Sequence, residues 1–299
     1  MEPSGVIILN KPAGMTSHDC VNRMRRLFDT KKVGHTGTLD PMATGVLPIL
    51  IGRAAKAADL LTAENKLYRA GLRLGLVTDT EDITGNIISS SDEIPSEAEV
   101  SNICSGFVGE IMQIPPMYSA LKVGGQKLVD LARRGVTIER EARPIRIYSI
   151  DVKSTDDSRE YILTVSCSKG TYIRTLCADI GSKLGCGGCM SSLERLGSGS
   201  FSIADSHTLE ELDSLEMSER LSLLRPVESL FANLTELKLP PFFERLSRNG
   251  CEVYLKKIKA DLPIGVMVRL CGANGFYALG EVCEYPDGAA VKVVKLFEL

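Results

Sequence analysis

No apolar run approaches the roughly 18 residues that a membrane-spanning helix needs. The opening MEPSGVIILNKP lacks the basic region and long apolar stretch of a secretory signal. No G-x-x-x-x-G-K-[ST] loop is present, so a P-loop that cradles nucleotide phosphates is excluded. The three histidines stand far apart, at 18, 35 and 207. The single C-x-x-C, Cys186 to Cys189, has no second pair at zinc-finger spacing, so no metal site is expected. Nine cysteines, an odd number scattered along the chain, fit a reducing compartment, and a cytoplasmic protein is expected.

Net positive charge is lacking too. The chain carries 35 Lys and Arg against 38 Asp and Glu, a formal charge of −3, which by itself argues against a nucleic-acid binder. The distribution reverses that inference. Leu74 to Leu121 holds eight acids and no Lys or Arg, and Asp205 to Leu230 holds seven acids and two Arg. Residues 1–73 carry 11 basic and 6 acidic side chains, and residues 122–204 carry 13 and 9. Basic blocks set against acidic ones suggest a polarised surface with one face for a polyanion. Solvated charges sharing no face would give the same counts.

The pattern along the chain is strand-rich. Val6–Leu9 reads as a short buried strand, followed by the turn Asn-Lys-Pro-Ala-Gly. Ser17 reads as the N-cap of a helix through Phe28, with Val21, Met24, Leu27 and Phe28 inward. Strands are expected at Val46–Ile51, Lys66–Leu74, near Ile87, at Ile145–Val152, Tyr161–Ser168 and Ser191–Leu196. Helices are expected at Arg53–Leu61, Ser96–Phe107, Gln126–Arg134, after Thr171 with Ile173, Leu176, Cys177, Ile180 and Leu184 inward, and twice within 205–230. No strict βαβ rhythm appears, which points to an α+β fold with a largely antiparallel sheet. From about Leu237 the texture changes. A short helix near Pro240-Pro241 precedes β-type runs at Gly265–Cys271, Phe276–Cys283 and Ala289–Leu296, which suggest a small β-barrel.

One stretch concentrates the chemistry. VGHTGTLDPMATG, residues 33–45, holds three glycines, His35 and one carboxylate, Asp40. Pro41 restricts Asp40 to extended backbone, and glycine permits positive φ, so the loop is stiff and presents one acid. A plain Asp-Pro turn would look the same.

Its company decides. NKPAGMTS (10–17), GHTGTLDPMATG (34–45), KLYR (66–69), PPMYSALK (115–122) and SKGTYIRTLCADIG (168–181) occur in one order and spacing. Together they resemble the bacterial TruB-type tRNA pseudouridine synthases, over about residues 5–230. The resemblance implies the pseudouridine synthase fold: a largely antiparallel mixed sheet flanked by helices, with a PUA-like C-terminal barrel. It implies a catalytic domain at 1–234, a thumb-like RNA-binding insertion at 118–146 and a PUA-like domain at 235–299. The implied activity is isomerisation of uridine 55 in the T-loop, on a monomer without cofactor, metal or protein partner, with the tRNA T-arm as substrate.

The same resemblance implies the site. Asp40 would be the catalytic carboxylate and Arg174 its cationic partner. Tyr68, counted with Asp40 and Arg174 as catalytic, would stack on the uracil, and Tyr172 and Leu193 would contact the flipped nucleotide. His35 would help open the T-loop. Flipping a base costs a few kcal/mol, and stacking on an aromatic ring returns about 1–3 kcal/mol. Lys122, Lys127, Arg133, Arg134, Arg140 and Arg143 are expected to meet phosphates on the insertion. Lys11 is counted with these RNA-facing cations and, with Pro12, is also expected to buttress the loop. Cys189, in LGCGGCMSSL, departs from the family's glycine-rich segment and reads as a small buried residue. The short, barely basic tail is a second departure.

Three other readings compete. A catalytically idle RNA-binding or tRNA-folding protein would not need Asp40, Tyr68 and Arg174 together. Guide-dependent synthases carry more basic tails. A base-releasing glycosylase would share the flipping and the acid but give a different product.

Overall fold

The computed structural model describes residues 3–61 and 65–297. Positions 1 and 299, the outer limits of the two expected domains, lie outside them. The main sheet runs in the order Gly5–Lys11, Thr44–Ile51, Gly188–Ser198, Lys66–Leu74, Glu160–Cys167, Arg143–Ser154, Gly109–Gln113. Two short strands join its flanks, Val33–His35 against Thr44–Ile51 and Phe201–Ser202 against Gly188–Ser198. The Glu194–Arg195 contact with Thr44–Gly45 is parallel, and every other pairing in this sheet is antiparallel. This is the α+β, mostly antiparallel architecture expected from the strand pattern.

Alternation decides the register. Glu160–Cys167 alternates strictly, with Tyr161, Leu163, Val165 and Cys167 buried. Thr44–Ile51 is instead buried on both faces. Leu47, Ile49 and Ile51 point with Ile7 and Leu9 into the core beneath the helix Ser17–Leu27, where Cys20, Val21, Met24 and Phe28 pack. Val46 and Leu50 point with Val6 and Ile8 to the other side, against Phe231, Phe276 and Phe297. Those three rings lie 5.5–6.1 Å apart, centroid to centroid. Phe276 and Phe297 belong to the C-terminal part, whose sheet runs Thr235–Lys238, Met267–Gly272, Gly275–Tyr285, Gly288–Leu296, Val253–Tyr254.

Several boundaries differ from the sequence expectation. The helix cap is Thr16, which forms a reciprocal capping box with Asp19, and Ser17 is the buried first residue. The expected helix at Arg53–Leu61 begins as a 3-10 turn, Gly52–Ala57, and becomes α only at Ala58–Leu61. The expected basic helix Gln126–Arg134 starts later. Lys122–Val123 and Gln126–Lys127 form a hairpin across Gly124-Gly125, both at positive φ, and the helix is Leu128–Ala132. Residues 143–146 are not part of an excursion: they pair with Glu110–Gln113 in the main sheet. Gly109–Gln113 and Thr235–Lys238 are strands that the sequence pattern did not single out.

Candidate active site

Residues 36–43 connect the short strand Val33–His35 to Thr44–Ile51 and carry Asp40. The N-terminal motif holds this loop from beneath. Lys11 is fully buried and donates from Nζ to the carbonyls of Pro12 (2.8 Å) and Pro41 (3.2 Å). Ser17 Oγ donates to the Leu39 carbonyl and accepts from the Leu39 N–H at 2.9 Å. Gly14 N–H donates to the Pro41 carbonyl at 2.8 Å. Lys11 is thus a buttress, and its place among the RNA-facing cations is corrected: an ammonium with no exposed surface meets no phosphate. Burial draws its pKa down, opposed by the fields of Cys20 and Asp40.

Arg174 approaches Asp40 from the helix Ile173–Leu184. Its Nε lies 2.8 Å from Asp40 Oδ2, and Nη2 lies 3.3 Å from Oδ1. Arg174 is 4% exposed, so this is a desolvated guanidinium, not a solvated helix charge. It also donates from Nη1 to the Thr80 carbonyl (3.1 Å) and from Nη2 to the Tyr118 carbonyl (2.8 Å). Behind it stands Asp82, also buried, whose carboxylate is 3.9 Å from Nη1. Asp82 accepts from Thr80 Oγ1 (2.9 Å) and from Thr84 N–H (3.0 Å). One cation held between two carboxylates fixes the Asp40 carboxyl in orientation.

The helix that carries Arg174 is anchored at its first residues by Gln113. The side-chain carbonyl of Gln113 accepts from the Tyr172 N–H at 2.8 Å, and its amide donates to the Tyr172 carbonyl at 3.0 Å. Downstream the helix packs tightly on the strand Gly188–Ser198. A Cβ at Gly181 would lie 2.2 Å from the Gly188 nitrogen, so glycine is required there. Cys189 is buried, as expected, and burial pushes its thiol up to about 11.

The floor comes from two adjacent strands, on which Tyr68 pairs with Arg195 and Ala70 pairs with Leu193. Period-2 geometry puts Tyr68, Leu193 and Arg195 on one face. Tyr68 and Leu193 are each 8% exposed and belong to the same apolar cluster. Burial raises the phenol pKa of Tyr68, opposed by Arg195 beside it. Tyr172 is half-buried and likewise raised by burial. His35 closes the strand next to the loop; burial, then the charge of Arg195, lowers its pKa, and its Nδ1 is buried without a partner.

The structure therefore gathers Asp40, Arg174, Tyr68, Leu193, His35 and Tyr172 around one loop. The expected phosphate contacts divide. Lys122, Lys127, Arg133 and Arg134 are exposed around a concavity of about 580 Å³ on the insertion. Arg143 is exposed on the sheet and contributes to the field at Tyr172. Arg140 turns inward instead, donating to the Pro115 carbonyl at 3.0 Å and lining a cavity of about 770 Å³ with Glu81 and Asp179. That cavity backs onto the active site through Thr80 and contains neither Asp40 nor Tyr68. Asp82, Gln113 and Arg195 were not singled out from the sequence. Arg195 could have been, because it stands two residues after Leu193 and shares its face.

Fold and site together define a pseudouridylate synthase, and the chain superposes along 99% of its length on chains of solved complexes. One such structure, "Structure of H/ACA RNP bound to a substrate RNA containing 2'-deoxyuridine", gives a TM-score of 0.73 at 25% identity and 85% coverage of that chain. Another, a Cbf5-Nop10-Gar1 complex, gives 0.71 at 27% identity, covering 99% of this chain and 85% of that one. The family model "TruB family pseudouridylate synthase (N terminal domain)" matches residues 25–173, and "tRNA pseudouridylate synthase B C-terminal domain" matches 174–232. The chain belongs to the TruB family. The tRNA pseudouridine synthase B of Clostridium tetani is 43% identical over 295 residues, 98% of this chain and 99% of the relative. That of Alkaliphilus oremlandii is 46% identical over 296 residues, 98% of each chain.

Proposed function

We propose that this protein converts uridine to pseudouridine in tRNA, at position 55 of the T-loop, with Asp40 as the catalytic carboxylate. The observation that carries the reading is the Asp40–Arg174 ion pair at 2.8 Å, set over a floor of Tyr68 and Leu193. The flipped uridine stacks on the Tyr68 ring and is confined by Leu193 and Tyr172. Asp40 acts at the junction of sugar and base. The C1′–N1 bond breaks, the uracil turns in place, and C1′ joins to C5. The C5 hydrogen leaves as a proton while N1 gains one, so the reaction balances without oxidant, reductant or external group, and the proposal requires no metal or cofactor.

Around this centre, Lys122, Lys127, Arg133, Arg134 and Arg143 bind phosphates of the T-arm, and His35 supports the opened loop. Residues 1–234 form the catalytic unit and the PUA-like sheet from 235 onward adds RNA contacts. The protein acts in the cytoplasm as a monomer without a protein partner. No helix among the described residues is long and apolar enough to cross a membrane.

The test is tritium release from T-arm RNA labelled at uridine C5. The wild type releases tritium and Asp40→Asn does not, while both bind the RNA. Tight binding without release by the wild type would leave an RNA-binding protein and remove the enzyme.

A further inference from the structure

The hairpin that presents Asp40 does not close on itself. Val33–His35 pairs with Ile49–Ile51, and the last rung is the Thr36 N–H donating to the Pro48 carbonyl at 3.2 Å. Beyond it the two limbs part. Thr44 and Gly45 pair instead with Glu194 and Arg195 of another strand. Backbones touch there: a Cβ on Gly45, at φ +100°, would lie 2.3 Å from the Arg195 carbonyl oxygen.

The Arg195 side chain fills the gap. It is 1% exposed. Its Nε donates to the Val46 carbonyl at 2.7 Å on one limb, and Nη2 donates to the Gly37 carbonyl at 3.2 Å on the other. Tyr68 is its partner across the ladder, and the guanidinium charge stands beside the phenol. No carboxylate among the described residues lies within ion-pair distance of it. Burying a guanidinium costs several kcal/mol, and no acid offsets that cost here.

A guanidinium has donors only. The carbonyls of Gly37 and Val46 flank the loop on either side of Asp40. One buried side chain thus ties together both limbs of the loop that carries the acid.

We propose that Arg195 is a positioning residue, spanning the base of the Asp40 hairpin and so holding Asp40 in place beside Tyr68. The inference rests on the isomerase reading above. Arg195 touches no substrate. It acts through the loop.

The experiment measures single-turnover tritium release from C5-labelled T-arm RNA, and RNA affinity separately, for Arg195→Met and Arg195→Lys. A misplacement of about 1 Å costs on the order of 100-fold in rate, and Arg195→Met is expected to lose that much while its Kd for RNA stays within about threefold. Arg195→Lys, which keeps charge and a donor, recovers part of the rate and serves if the Met variant does not fold. Wild-type rate in Arg195→Met or in Arg195→Lys overturns the inference while wild-type release still stands. Absence of release from the wild type itself overturns the isomerase reading, and this inference with it.

Discussion

Gln113 offers the sharpest mechanical test, because its side chain hydrogen-bonds to backbone. Its amide grips Tyr172 at both the N–H and the carbonyl, 2.8 and 3.0 Å away, and is 2% exposed. The next residue is Arg174's helix neighbour Ile173, so any drift of Tyr172 moves the guanidinium. Gln113→Leu removes two neutral hydrogen bonds of about 1 kcal/mol each and leaves the Tyr172 N–H to find another partner, while the Tyr172 carbonyl keeps the Leu176 N–H. A loss of about 2–3 kcal/mol is expected, near 5–10 °C of melting temperature if a domain shifts about 2–4 °C per kcal/mol. Tritium release should fall further than this stability loss explains, since Arg174 then aims imperfectly at Asp40. Gln113→Glu refines the point. As an acid it can accept from the N–H but must be protonated to donate to the carbonyl, so its folded-state pKa is raised. Its stabilising contribution is present at low pH and lost as pH rises through that raised value. The Glu variant should thus sit nearer the wild type at pH 5 than at pH 8, read by thermal melts at both. A Leu variant that melts and turns over like the wild type would refute the anchoring argument.

Other outcomes follow from the same geometry. Lys11→Met leaves the Pro12 carbonyl without its Lys11 donor and the Pro41 carbonyl with the Gly14 N–H alone, and loosens the Asp40 loop. Release should drop at least ~10-fold, on the scale of lost positioning, with RNA affinity unchanged; a fall in affinity alone would return Lys11 to the phosphate-binding set. His35 is held neutral chiefly by burial, so the unfolded chain binds its proton more readily. That contribution to stability is fully present above about pH 6.5, the ordinary value for histidine, and is lost as pH falls below it. His35→Asn should flatten the wild-type stability slope between pH 7 and 5, and an unchanged slope would count against a buried neutral ring. Phe297→Ala removes one of three touching rings in a buried cluster and should cost about 3–5 kcal/mol, measured by denaturant midpoint.

Much of this was legible in the sequence, for physical reasons that differ by element. Lys66–Leu74 was readable to the residue because an alternating strand buried on one face has a single permitted register. Asp40 and Arg174, 134 residues apart, could not be paired by spacing; only the resemblance joined them, and the fold then brings them to 2.8 Å. Arg195 was passed over because an arginine on a strand ordinarily reads as solvent-facing, and nothing local shows that two carbonyls await it. Asp82 and Gln113 were missed for a like reason, since their partners are Arg174 and Tyr172 from a distant helix. The basic helix was placed too early because its residues suit a helix while Gly124-Gly125 suits a two-residue hairpin, and the hairpin took Gln126 and Lys127 first. Arg140 was assigned by charge alone, and charge does not reveal which way a side chain turns.

The strand Thr44–Ile51 serves two halves of the molecule at once. One face closes the core under the Asp40 loop, and the other receives the phenylalanines of the C-terminal part. That tail is therefore not a detachable module, whatever its own contacts with RNA. Cutting the chain before Thr235 would leave Val6, Ile8, Val46 and Leu50 without Phe276 and Phe297, an apolar face on the catalytic half that invites aggregation. Grafting a tail from a relative would have to carry matching partners for those four side chains. In this protein, exchange of parts is constrained by a seam that runs directly behind the chemistry.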